Sequence, residues 1–435
     1  MPEKMLNDVG RRLTDSTVDT ESGELKLKPD EGEGGRAAWL TVAGSILVYY
    51  SSFGVMNSFG FFQDYYTQDF LKDTPASTIA FCGTLQMFLM NSLAAVSGAL
   101  CDRYGVTYLY IGSGIGTILA LIGLSFIQPG HFWQIVLVQG LLMGLTIAFG
   151  IQPALTVVGQ HFKKQRALAM GLVSTGSALG GIGFPLMFEK LLPRVGFANA
   201  IRLAALKIGV CYSIALFISS SKPSKRDGKR SCMSLIDFSG FLDLRYTILC
   251  IGTFFAILGL WMPSYYIKTY ANVAYPGNTI SEYFLCIMNG TSILGAVFGG
   301  LLADRIGRLN LLWPTALLSG FLCLFLWLLS ETLAVLILFV CLYGITISNI
   351  NALPASVIGQ ITPDESLGAR IGAFYSLIAI ASLVGTPIGG ALIVDKDRKA
   401  GYRWLIVFSG VSLIVGSLFM LASRLLHDKD LRKRW

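Results

Sequence analysis

Long apolar runs separated by short polar stretches dominate this chain, and the runs lack the alternating polar face of a soluble core. Twelve runs can be marked: 37–62, 78–101, 107–127, 133–157, 167–189, 197–220, 246–270, 281–303, 309–329, 332–358, 370–394 and 403–425. About 20 apolar residues are enough for a helix to cross the hydrocarbon core of a bilayer. Only helices and closed barrels satisfy their own backbone polar groups there, and runs this continuous predict helices. The pattern therefore predicts an all-α membrane protein with 12 transmembrane helices in two six-helix bundles. The expected division is a disordered tail over 1–36, a first bundle over 37–220, a connector over 221–245, a second bundle over 246–425 and a tail over 426–435. Residues 1–36 are polar and mix acids with bases, which excludes a cleaved signal peptide and predicts a cytosolic tail.

Two internal correspondences support the division into halves. GALCDRYG, from Gly98 through Asp102 and Arg103 to Gly105, reappears 202 positions later. The second copy is GLLADRIGR, with Gly300, Asp304, Arg305 and Gly307 at the same spacing. Each copy is a charged turn between two apolar runs. In span 4, Gln152-Pro153 opens the segment PALTVVGQ, and Pro354 opens PASVIGQ in span 10. Helix-disturbing residues at equivalent places of two halves point to a pathway between them.

Composition agrees with the pattern: of 435 residues 53% are apolar and 14% charged. The net charge of +8 suggests nucleic acid until its distribution is considered. With an even number of spans, 24 of the 34 Lys and Arg fall on the side of the termini. That asymmetry is a topology signal and predicts both termini in the cytoplasm, with no nucleic-acid partner. Of eight cysteines, seven lie in or beside spans and Cys232 in a loop. A disulfide framework is not expected, no Cys/His spacing suits a metal, and no cofactor is implied.

The loop signature resembles that of the major facilitator superfamily of secondary transporters. GGRAAWL before span 1, FGFFQDYY after it and HFKKQRALAMGLVSTGSALGG at span 5 are similar to the monocarboxylate-porter-like family, especially its fungal branch. The resemblance implies a two-bundle fold with a central path lined mainly by spans 1, 4, 7 and 10. Animal members that carry lactate-like acids have a lysine deep in span 1, where this chain has Met56-Asn57. They carry an aspartate–arginine pair in span 8, where this chain has Asn289 and Ile293. No Lys or Arg lies at the middle of spans 1, 4, 7, 8 or 10. The family name is therefore not a substrate.

Candidate path residues are Tyr50, Asn57, Gln152, Trp261, Tyr265, Asn289, Asn349 and Asn351, each of which could instead bond neighbouring helices together. Asn349 and Asn351 lie about 200° apart around a helix, so they are not expected to face the path together. Candidate gating residues are the two loop motifs with Arg166 and Arg370. An acid at a helix end there can face the amino end of a helix from the other half. Lys207 lies deep in span 6 and is expected to snorkel to the headgroups. No acid or histidine sits near a span midpoint. Glu189 is the candidate for proton coupling, with a salt bridge to Lys190 or Arg194 as the plain alternative.

The expected function is transport of a small organic solute by alternating access, with or without protons. The solute is monocarboxylate-like, or a neutral or weakly acidic metabolite. Export of a secondary metabolite or drug-like compound is the alternative, and a transporter-fold nutrient sensor the reading from another class. An intramembrane enzyme lacks catalytic groups, because His131, His161 and His427 all lie in loops or tails. Function as a monomer in the plasma membrane is expected.

Overall fold

The computed structural model describes residues 35–162, 166–220, 238–362 and 367–428, with residues 430 and 433. Residues 1–34 of the expected tail and 221–237 of the expected connector lie outside the described residues. So do the side chains of Asp102 and Arg166.

Among the described residues, twelve helical segments of membrane length follow the apolar pattern. They are α1 Arg36–Phe70, α2 Ala76–Ser92 with Ala94–Tyr104, α3 Thr107–Leu124 and α4 Phe132–His161. One continuous helical stretch, Arg166–Ile218, holds α5 (166–195) and α6 (197–218). It turns at Gly196, whose φ of 75° lies in the left-handed region that glycine enters without steric cost. The second half has α7 Leu244–Ala274, α8 Ile280–Ile306, α9 Arg308–Trp327, α10 Leu333–Ile361, α11 Leu367–Ala391 and α12 Lys399–His427. With twelve crossings both ends of the described chain reach one side of the membrane, here called the terminal face.

The sequence places the breaks correctly but makes some spans too short. The aromatic, polar stretch after span 1 continues α1 to Phe70, because a helix satisfies its backbone wherever neighbours bury it. α2 bends by 45° at Leu93. Within the first half α1 packs on α5 and α6 through glycine. A Cβ on Gly180 would lie 2.4 Å from the Tyr50 carbonyl oxygen, and one on Gly54 2.5 Å from the Gly180 Cα. Small residues let membrane helices approach to backbone contact, which replaces the hydrophobic drive that lipid removes. The halves meet along two seams, α2 against α11 and α5 against α8.

The carboxyl end is fastened to the second half. Arg424 is fully buried and donates to Asn310 on α9 and to the carbonyls of Asp428, Asp430 and Lys433. The hydrogen bond from Lys433, 2.7 Å long, holds the Asp428 carboxyl below its ordinary range.

Candidate substrate cavity and its closure

The first and seventh helices, equivalents in the two halves, both break within the membrane. α1 is interrupted at Ser52 and Ser58. α7 stops at Leu260 and resumes at Met262, with Pro263 at the start of the new segment where its missing N–H costs nothing. These breaks turn aromatic side chains toward each other across the halves. Phe53 meets Trp261 with ring centroids 6.3 Å apart, and Phe59 meets Tyr265 at 5.2 Å. Gly83 on α2 makes room for Tyr265: a Cβ there would lie 2.5 Å from its hydroxyl. The rings form a roof.

Below the roof lies a cavity of about 1820 Å³, walled by α1, α2, α4, α5, α7, α8, α10 and α11. Its rim includes Arg103, Gln160, Gly300, Arg308 and Gly359, all near the terminal ends of their helices, so it opens to the terminal face. A drug-sized ligand site typically occupies about 300–1,000 Å³, so this space admits a sizeable organic molecule.

Seven of the eight candidate path residues border the cavity: Asn57, Gln152, Trp261, Tyr265, Asn289, Asn349 and Asn351. Tyr50 does not. Its ring packs on Phe184 at 5.3 Å, on the far side of α1. Asn349 and Asn351 both border the space, against expectation. The cavity is wide enough to wrap more than one face of α10: Asn351 is exposed to it, while Asn349 is buried at its edge, where a Cβ on Gly299 would meet it. Asn57 Oδ1 and the Tyr265 hydroxyl have no hydrogen-bond partner among the described residues. Asn91 bridges the seam, donating to Ser382 Oγ at 3.2 Å.

Sequence reasoning missed the thioethers. Met56, Met87, Met90, Met170 and Met288 all reach the wall. A methionine in an apolar run carries no signal of its own, although unbranched, polarisable side chains suit a surface that adapts to ligand shape.

Lys207 corrects another expectation. Its ammonium does not snorkel but sits 4.9 Å over the Tyr50 ring and 4.8 Å over the Phe184 ring. A cation desolvated between ring faces gains about 2 kcal/mol, which offsets much of the cost of a charge at mid-bilayer.

Above the roof, at the face away from the termini, charges converge. Lys268 on α7 lies 2.8 Å from Asp64 of α1 and 2.7 Å from Glu282 of α8. The Asp64 and Lys268 side chains are about one-tenth exposed. Glu189 borders the same small pocket of about 350 Å³. Neither Lys190 nor Arg194 comes within 4.0 Å of the Glu189 carboxylate, so the salt bridge weighed as its plain role does not form.

At the terminal face, Asp304 lies 3.8 Å from Arg308 of its own loop. Arg370 packs over the Tyr246 ring at 6.0 Å, and its carbonyl accepts from the Tyr246 hydroxyl. Among the described residues no group of His, Cys, Asp and Glu suits a metal ion.

The model of the Major Facilitator Superfamily matches residues 41–275 and 249–434. An agnestins efflux protein of Paecilomyces divaricatus is 32% identical over 410 residues, covering 94% of this chain and 92% of the relative. A fujikurins efflux protein of Gibberella fujikuroi is 32% identical over 423 residues, covering 95% and 89%. Among solved structures, the nucleoside transporter NupG aligns with a TM-score of 0.67 at 12% identity, over 88% of this chain and 99% of that one. At that identity the likeness speaks for the fold alone.

Proposed function

The chain belongs to the Major Facilitator Superfamily, a multi-pass transporter family, and from that premise we propose that it exports a small organic compound with an apolar body. The carrying observation is the cavity: ring, amide and thioether walls, open to the terminal face and roofed at the other. Rings and thioethers bind by contact area, while scattered amides supply hydrogen bonds that orient a neutral or weakly acidic cargo. The excess of Lys and Arg at the terminal face supports placing that face in the cytoplasm. The cavity then takes cargo from the cytoplasm and releases it outside once the roof parts, in the plasma membrane. Two relatives named as efflux proteins, each about one-third identical over nearly the whole chain, favour export of a secondary metabolite or drug-like compound over carriage of a monocarboxylate-like solute in either direction.

The gating reading is part of the proposal. With the terminal face open, Asp304 stays within its own loop. Closing that face brings the two motif loops toward the amino ends of α5 and α11, where Arg166 and Arg370 lie. A binding panel on the purified protein in nanodiscs tests the cargo class. Planar aromatic and polycyclic compounds should bind and compete with one another. Binding confined to lactate-sized acids would contradict the reading.

A further inference from the structure

Two charged residues border the cavity among those described, and both are arginines at its mouth. Arg103 lies in the last turn of α2 in the first half, exposed and 5.2 Å over the Tyr104 ring. Arg308 opens α9 in the second half, donating to the Ser356 carbonyl at 3.0 Å and lying 3.8 Å from Asp304. A guanidinium has five N–H groups, so most of these donors remain for a ligand. The lips of the cavity are thus basic from both halves.

The small pocket above the roof has the opposite balance. Asp64, Glu189 and Glu282 border the small pocket above the roof with Lys268 alone, three carboxylates to one ammonium. Between the two ends no described wall residue is Lys, Asp, Glu or His. Membrane topology accounts for arginines at the terminal face. It does not require that one guanidinium from each half border the cavity itself.

We propose that these basic lips select organic anions with apolar bodies at the terminal face. The inference rests on the reading that the cargo has an apolar body. Basic lips in a low-dielectric cleft raise the local concentration of an anion and its association rate. Fixed charges cannot drive net flux, because they leave the equilibrium between two solutions unchanged. They alter rates: capture at the mouth is faster for an anion than for a neutral molecule with the same body. The uncharged middle keeps the anion from being trapped, so affinity there comes from rings and thioethers.

The test uses the full chain in phosphatidylcholine nanodiscs with two probes, 2-naphthoate and its methyl ester. Stopped-flow quenching of tryptophan fluorescence reads association, since Trp261 borders the cavity. Between about 20 and about 300 mM salt the association rate of naphthoate should fall roughly fivefold, while that of the ester stays constant. Replacing Arg103 and Arg308 together by Gln should bring the low-salt rate down to the high-salt value, and replacing both by Lys should preserve the slope. The acid-to-ester ratio is the readout, because both probes meet the same fold and the same conformational equilibrium. A salt slope for naphthoate that survives the double Gln variant, or an equal slope for the ester, would overturn the inference. Binding of the ester without the acid would overturn it too and leave the apolar-body reading standing. Binding of neither probe would overturn both.

Discussion

The ammonium of Lys268 lies 2.8 Å from the Asp64 carboxylate, and that bond joins the two halves above the aromatic roof. Asp64 belongs to the outer segment of α1 and Lys268 to the outer segment of α7, the helices that break beneath them. Removing the lysine leaves two facing carboxylates without their cation. Breaking a buried pair costs about 3–5 kcal/mol, and water at the more exposed Glu282 reduces this to about 2–3 kcal/mol. Lys268→Met should therefore loosen the far face. Amide hydrogen exchange over residues 59–70, measured in nanodiscs, should rise at least about tenfold while the terminal face is unchanged. Equal protection in the variant would mean that the rings alone hold the roof.

Trp261 and Tyr50 make a matched pair for the cavity walls. Trp261 borders the space and Tyr50 faces away from it. Trp261→Ala should weaken cargo binding by about tenfold or more, the loss of a buried aromatic contact. Tyr50→Leu should leave binding unchanged. Direct binding measurements on the two variants, at equal yields of folded protein, check the assignment.

The fold was legible because hydropathy at membrane length leaves the backbone few options, and because two motifs repeat across the halves. The candidate site was partly legible. Asn, Gln and Trp are conspicuous in apolar runs, so Asn57, Gln152, Trp261 and Asn289 could be singled out. Which face of a helix they occupy depends on neighbours, and Tyr50 was misplaced for that reason. The methionines were invisible because nothing distinguishes a wall thioether from a packed one. The Lys268 cluster has no signature in the sequence, because its members come from three different helices.

Lys207 provides a test of magnitudes. A lysine at the centre of a spanning helix costs about 2.5–3.5 kcal/mol, and its two ring contacts return about 2 kcal/mol. Lys207→Met should thus be neutral to slightly stabilising, with transport intact because the side chain does not border the cavity. Thermal unfolding in detergent reads the first part and transport rate the second. Loss of transport with unchanged unfolding would assign Lys207 a role in the cycle.

The seam between α1 and α5 predicts a sharp contrast between two glycines. A Cβ on Gly180 would meet backbone at 2.4 Å, whereas one on Gly209 would meet only the Ile118 side-chain end at 3.3 Å. Gly180→Ala should destabilise by about 1–3 kcal/mol, since backbone cannot swing aside. Gly209→Ala should be tolerated, its added methyl met by a flexible neighbour. Melting temperatures of the two variants, compared with the parent, decide it.

The central claim is outward movement of apolar-bodied cargo, and inside-out vesicles from cells producing the protein test it most directly. Uptake of a planar aromatic compound into such vesicles reports transport from the cytoplasmic face to the external one. The account predicts saturable uptake of a probe such as 2-naphthoate, competed by other aromatic compounds, unaffected by lactate and reduced about tenfold or more in Trp261→Ala. Saturable lactate uptake that aromatic compounds do not inhibit would contradict it.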